Sequence, residues 1–152
     1  DLHSFPTRRS SDLNAATDEV NSLLNYGYGI LYSQVWGAVL NAGLEPFAGF
    51  LHVDRPGKPS LILDMVEEFR QPVVDRTVIA YVNLGTSIGM KEGLLDADTR
   101  KSIADKIIER LVTTEPYQGK QYQIRSIIQM QARSLATFLR GEGEYKAFSF
   151  KW

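Results

Sequence analysis

Residues 49–70 read GFLHVDRPGKPSLILDMVEEFR, and the second half of that run decides the fold. From Ser60, a good N-cap residue, Leu61, Ile62, Met65, Val66 and Phe69 supply the apolar surface of a helix through about Arg70. On the same helix Asp64, Glu67 and Glu68 stand at i, i+3 and i+4, which brings their Cβ atoms within roughly 5–6 Å of one another. Three neighbouring carboxylates repel unless solvent or a cation screens them, and Arg70, Arg55 and Lys58 can supply part of that screening. His52 closes an apolar run just before the loop VDRPGKP at 53–59, which can fold it back toward the acidic face. Histidine with carboxylates suits Mg²⁺- or Mn²⁺-dependent phosphodiester chemistry. A core histidine followed by a solvated acidic helix is the commoner meaning of such spacing, so spacing alone leaves both open.

The same helical period runs through the rest of the chain. Thr17 or Asp18 can cap a first helix to about Asn41, with Leu24, Ile30, Leu31, Val35 and Val39 as its recurring apolar positions and Gly43 beyond its end. Gly27, Gly29 and Gly37 weaken a helix, so they are expected to permit close packing. The G-x-G at 27–29 follows no strand and lacks a third glycine, which argues against a dinucleotide loop. Pro46 fits the first turn of a short helix carrying Phe47, Phe50 and Leu51 toward His52. Pro72 predicts a break after Arg70 and a new helix over 73–84.

Residues 85–95 are glycine-rich and read as a loop or small hairpin. Asp96 or Asp98 begins a helix bearing Ile103, Ile107, Ile108 and Leu111. A loop is expected at 114–120, then a last helix from about Gln121 to Leu139, stopped by Gly141 and Gly143. The aromatic tail EYKAFSFKW should dock on the helices. The expected fold class is all-α, a single multi-helix domain, with at most a small hairpin near 85–95.

Composition narrows the chemistry. The chain has no cysteine, so zinc knuckles, thiol catalysis and disulfide scaffolds are excluded. Any metal must be held by His, Asp and Glu, which favours Mg²⁺ or Mn²⁺. The net charge of −1 announces no bulk field for nucleic acid, although a local basic surface remains compatible with it. No apolar run approaches a membrane span and no signal-peptide core is present, so a cytoplasmic protein is expected.

Residues 1–13, DLHSFPTRRSSDL, show neither helical nor strand periodicity and are expected to be disordered. Their SFPTRRSSDL stretch, 4–13, resembles the conceptual translation of a sequencing adapter. On that resemblance residues 1–13 are set aside as foreign, with His3 not a ligand and Arg8 and Arg9 not a DNA arm. Residues 14–152 then form the helical domain, and the genuine protein is expected to have begun further upstream.

Several motifs, in order, carry a second resemblance: N-x-L-L-x-Y-G-Y from Asn21, G-F-L-H at 49–52, L-D-M-V-E-E-F-R at 63–70, Q-A-R-x-L-A at 131–136, then Tyr145 and Trp152. Together they resemble the CRISPR-associated protein one family, the metal-dependent DNA endonuclease and integrase of spacer acquisition. The resemblance implies an α-helical catalytic domain whose N-terminal β-rich partner domain has no match in this chain. It implies that His52 and Glu67 are metal ligands, that Asp64 supports them catalytically, and that the family's first ligand, a glutamate, lies upstream of this chain. It further implies Mg²⁺ or Mn²⁺ as cofactor, double-stranded DNA (spacer precursor and repeat array) and CRISPR-associated protein two as partners, a homodimer for the full-length protein, and a prokaryotic cytoplasm. Arg70 matches a basic position placed to meet a phosphate.

Arg55, Lys58, Arg125 and Arg133 are the other candidate DNA contacts. Arg133 and Arg140 are seven apart and nearly superpose on a helix, with Lys120 just before it. Tyr26, Tyr28 and Tyr32 could stack on bases, but a packing role is the stronger expectation. With one ligand missing, weak metal binding and little activity are expected of this chain. The competing expectation is a non-catalytic helical module that binds DNA or protein, its acidic helix merely solvated.

Overall fold

A computed structural model describes residues 10–47 and 60–151. The described residues form five α-helices and two small hairpins: α1 (Ser10–Asn41), α2 (Ser60–Phe69), a π-helical turn (Arg70–Asp75), α3 (Arg76–Asn83), β1 (Met90–Lys91), β2 (Leu94–Leu95), α4 (Ala97–Val112), β3 (Thr114–Tyr117), β4 (Lys120–Gln123) and α5 (Ile124–Leu139). Helix α1 packs against every other helix and against the π turn. Its buried positions Leu23, Leu31, Val35, Ala38 and Val39 meet Phe69, Val74, Ile107 and Ile128 in one continuous core. The mostly helical class matches the sequence expectation, as does the hairpin at 90–95.

Four boundaries differ, each for a physical reason. The first helix begins at Ser10 rather than at Thr17 or Asp18. Residues 10–16 contain neither Pro nor Gly, so nothing stops the helix from propagating back through them. Leu23 and Ala38 join its buried face, whereas Leu24 and Ile30 are only half-buried.

Pro72 does not break the chain after Arg70. Instead α2 runs into α3 through the π turn, with Pro72, Val73 and Val74 buried. Proline removes one backbone donor, and a π turn is a way to carry a helix past such a defect. The Pro72 carbonyl is taken up by Arg110 Nε of α4 at 2.8 Å, and the Val73 carbonyl accepts from Thr77 Oγ1 at 2.6 Å.

Residues 114–120 are not a plain loop. They belong to the antiparallel hairpin β3–β4, paired Thr114 with Gln123 through Tyr117 with Lys120. Gln118 (φ 50°) and Gly119 (φ 80°) both adopt left-handed backbone, as a tight two-residue hairpin requires. Pro116 is tolerated because a two-stranded ribbon has only edge strands. The last helix therefore starts at Ile124, not Gln121. On α4, Ile108 is 53% exposed, while Ile103, Ile107 and Leu111 are buried as expected.

Asp96, not Asp98, caps α4: its carboxylate accepts from the Thr99 amide at 2.8 Å. That backbone hydrogen bond first, and the Thr99 side chain second, hold the Asp96 carboxyl below the usual carboxylate range. A depressed folded value means that the cap adds stability above the unfolded value and loses it as pH falls through the folded one. Acidification should therefore loosen the first turn of α4 before the core, seen as faster amide exchange there, and Asp96→Asn should flatten that pH dependence.

Of the α1 glycines expected to allow close packing, only Gly27 does so. A Cβ there would lie 2.7 Å from Val74 Cγ1, whereas at Gly29 and Gly37 it would meet nothing within 4 Å. Gly27→Ala should destabilise the fold by about 1–3 kcal/mol. Gly29→Ala should stabilise it by about 0.5–1 kcal/mol, because helical glycine costs backbone entropy. Urea denaturation of the two variants checks both signs.

Candidate functional site

Helix α2 is amphipathic, and the three carboxylates that share one sequence cluster reach three different environments. Asp64 is fully buried and engaged. Glu67 points to solvent, its side chain 52% exposed, and pairs with Arg70 Nη1 at 2.8 Å. Glu68 turns toward the C-terminal tail, where its two oxygens accept from Gln131 Nε2 (2.8 Å), from the Phe148 amide (3.0 Å) and from the Tyr145 hydroxyl. The cluster is thus divided, and the mutual repulsion expected of it is relieved by neutral donors as well as by Arg70.

The Arg70–Glu67 pair sits on a second network. The Arg70 guanidinium lies 4.6 Å from the centre of the Tyr28 ring, and the Tyr28 hydroxyl donates to Asp75 Oδ1 at 2.5 Å. Asp75 reaches that hydroxyl from the end of the π turn. Contact with Tyr28 first, and Glu67 second, hold the Arg70 guanidinium more firmly protonated than usual. Burial, then the hydrogen bond to Asp75, raises the Tyr28 hydroxyl above the ordinary tyrosine value. Tyr28 and Tyr32 pack against the core as expected, whereas Tyr26 is 37% exposed.

Gln131 is the hub of the other network. It is 1% exposed, accepts from the Tyr117 hydroxyl at 2.8 Å, and donates to Glu68 and to the Lys146 carbonyl at 3.1 Å. Burial first, and the Glu68 carboxylate second, push the Tyr145 hydroxyl well above the usual tyrosine value, so it remains a donor. The tail's aromatic residues dock as expected. Phe148 stacks on Phe69 at 5.2 Å and 11°, and Phe150 lies 5.1 Å from the Arg76 and 5.3 Å from the Arg110 guanidinium carbon. Arg110 Nη2 is also 2.9 Å from Glu115 Oε1, an ion contact off the hydrogen-bond axis.

His52, Arg55 and Lys58 fall outside the described residues, as do the helix expected beyond Phe47 and the 53–59 loop. Among the described residues no group of three His, Cys, Asp or Glu side chains is close enough to hold a metal ion. The candidate basic residues of the last helix all reach the surface. Arg125 is exposed and reaches Gln123 Oε1 at 2.8 Å, Arg133 is exposed, and Arg140 lies past the end of α5, paired with Glu142 at 3.0 Å. Sequence reasoning missed the parts played by Glu68, Gln131 and Arg110. Gln131 and Tyr145 were both within the motifs quoted above, but nothing in spacing ties either to α2.

These geometries set the cost of substitution. Glu67→Ala should change stability by less than about 0.5 kcal/mol, because half-exposed pairs contribute little. Gln131→Ala should cost about 1–3 kcal/mol, since it removes a buried amide and leaves half-buried partners on Tyr117 and Glu68. Urea midpoints of the two variants check the contrast.

The model of the family described as CRISPR associated protein Cas1 matches residues 3–109. The chain is 41% identical to CRISPR-associated endonuclease Cas1 1 of Archaeoglobus fulgidus, covering 97% of this chain and 46% of that protein. It is 43% identical to CRISPR-associated endonuclease Cas1 1 of Francisella tularensis subsp. novicida, over 87% of this chain and 40% of that one. Among solved structures, a casposase bound to integration product superposes with TM-score 0.75 at 30% identity, over 82% of this chain and 38% of its own. A CAS1 protein from Thermotoga maritima gives TM-score 0.75 at 27% identity, over 80% and 40%. The chain therefore spans less than half the length of these relatives.

Proposed function

Because the chain belongs to the Cas1 family of CRISPR-associated proteins, we propose that it is the helical catalytic part of a metal-dependent DNA endonuclease and integrase that inserts spacer DNA into a repeat array. The observation that carries this reading is the environment of Glu67. It is the one α2 carboxylate turned to solvent, and its stability role is small enough to leave it for function. Family likeness at 41% identity with a protein named as an endonuclease supports the nuclease class, and likeness to a casposase bound to integration product supports integration.

In this reading Glu67 and His52 hold Mg²⁺ or Mn²⁺, with the buried Asp64 supporting them one turn before Glu67. Carboxylate oxygens and one imidazole suit such an ion, and a further glutamate from upstream would complete the set. The ion, when bound, supplies polarisation of the phosphodiester and offsets the charge that develops on it. The chain's own residues do the rest. Arg70, held in place by the Tyr28 ring, meets a phosphate oxygen, and Arg55, Lys58, Arg125 and Arg133 track the backbone of double-stranded DNA. A DNA 3′-hydroxyl then attacks the phosphodiester, the new ester bond forming as the old one breaks, or water attacks in the hydrolytic equivalent. CRISPR-associated protein two and a second copy of the full-length protein are the proposed partners.

We also propose residues 1–13 as foreign. The family match starts at residue 3 and overlaps them, so the encoding DNA, read for adapter sequence at codons 4–13, decides that point.

In a full-length protein carrying these residues, Glu67→Ala should abolish Mn²⁺-dependent DNA cleavage with the helical circular-dichroism spectrum unchanged. Cleavage at the unaltered rate would exclude Glu67 as a ligand. Residues 14–152 alone should cleave weakly or not at all, and robust cleavage lost in His52→Ala would show that no upstream ligand is needed.

A further inference from the structure

The carboxylate of Glu68 plays no part in the proposed chemistry, yet both of its oxygens are engaged in hydrogen bonds. Its three partners, Gln131 Nε2, the Tyr145 hydroxyl and the Phe148 amide, are all neutral donors. Two of the three belong to the C-terminal segment. That segment has no helix or strand from Glu144 to Lys151, so it has no ladder to hold it. It leaves α5 through Gly141, whose φ of +74° turns the chain back toward α2. What keeps it on the domain is a short set of side-chain contacts. They include the Glu68 cluster, the Gln131 bond to the Lys146 carbonyl, the Phe69–Phe148 stack, the rings of Tyr117 beside Phe148 and Phe138 beside Tyr145, and the two guanidiniums beside Phe150.

A carboxylate accepts from all three donors while carrying a full charge. Glutamine at position 68 could keep its oxygen for Gln131 and the Phe148 amide only by turning its NH₂ to the Tyr145 hydroxyl, which would then have to accept, and every bond in the cluster would lose its charge assistance. Hydrogen bonds to a charged acceptor are the stronger kind, and the penalty for stranding a buried donor is larger still.

We propose that residues 144–150 form a releasable strap latched by the charge of Glu68, and that strap docking decides whether α2 presents Glu68 as a further carboxylate beside Glu67. The latch stands on geometry alone. Only its consequence for the acidic face rests on the proposed function. Docked, the strap's Tyr145 hydroxyl and Phe148 amide occupy the Glu68 carboxylate oxygens and leave Glu67 as the solvent-facing acid of α2. Released, it frees those oxygens on the same helical turn.

Amide hydrogen exchange on the unaltered 152-residue chain tests this directly. The Phe148 amide should be protected although it lies in no helix or strand. In Glu68→Gln it should exchange about tenfold faster or more, the scale expected for loss of a charged hydrogen bond, while the amides of Ile103 and Ile107 keep their protection. Tyr145→Phe retains the ring, removes a single donor, and should move Phe148 in the same direction by a smaller factor. It also decides the matter if Glu68→Gln loses protection throughout. A Phe148 amide equally protected in both variants would overturn the latch. In a full-length protein carrying these residues, Tyr145→Phe keeps the Glu68 carboxylate, and acceleration of the Phe148 amide with Glu67-dependent cleavage unchanged would uphold the latch and overturn its consequence for the acidic face. Loss of the nuclease reading itself would appear separately, as cleavage indifferent to Glu67→Ala.

Discussion

Five apolar side chains of α2, Leu61, Ile62, Met65, Val66 and Phe69, are buried against the core, and a helix turns about 100° per residue. That rotation is the constraint on which the acidic cluster depends. Once the apolar side faces inward, Glu67 must point to solvent and Glu68 must lie on the flank. Burying side chains of this size contributes about 1.5–3 kcal/mol each, whereas an exposed ion pair contributes a fraction of that. The carboxylates therefore accept the orientation that the core imposes, and their partners are arranged around it.

The partners come from far along the chain. Gln131 of α5 and Tyr145 and Phe148 of the tail meet Glu68, while Tyr28 of α1 steadies Arg70. Each is neutral or aromatic rather than a simple counter-charge, apart from Arg70 itself. This matters for the proposed chemistry, because a cation approaching Glu67 competes with one guanidinium and not with a dense ion-pair network. Asp64 differs from both. By helical rotation it belongs on the side away from the apolar residues, yet it is fully buried, so another part of the fold must cover it.

The π turn joins these elements. Pro72 was legible as an interruption, since a proline without its N–H cannot extend an ordinary helical ladder. Whether the chain would stop there or pass through depended on what could accept the disturbed carbonyls. Arg110, 38 residues away, binds the Pro72 carbonyl, and Thr77 binds that of Val73. Asp75 then reaches the Tyr28 hydroxyl. The hairpin at 114–123 escaped for a related reason: Gln118-Gly119 is a weaker turn signal than Asn-Gly, and Pro116 argues locally against a strand.

By itself the sequence determined the mostly helical class, the α2 helix with its apolar and acidic sides, the hairpin near residue 90, the docked aromatic tail and membership of a family whose model matches residues 3–109. These follow from local periodicity, turn chemistry and ordered motifs, all of which lie within a few residues of one another. Only the tertiary structure decided that Asp64, Glu67 and Glu68 part company, that Gly27 alone of the α1 glycines is packed against a neighbour, and that the tail is held by a carboxylate 77 positions away in the chain. Each of those outcomes depends on which distant donor or methyl group arrives beside the residue. Helical spacing fixes the direction in which a side chain leaves its helix and is silent about what it meets there.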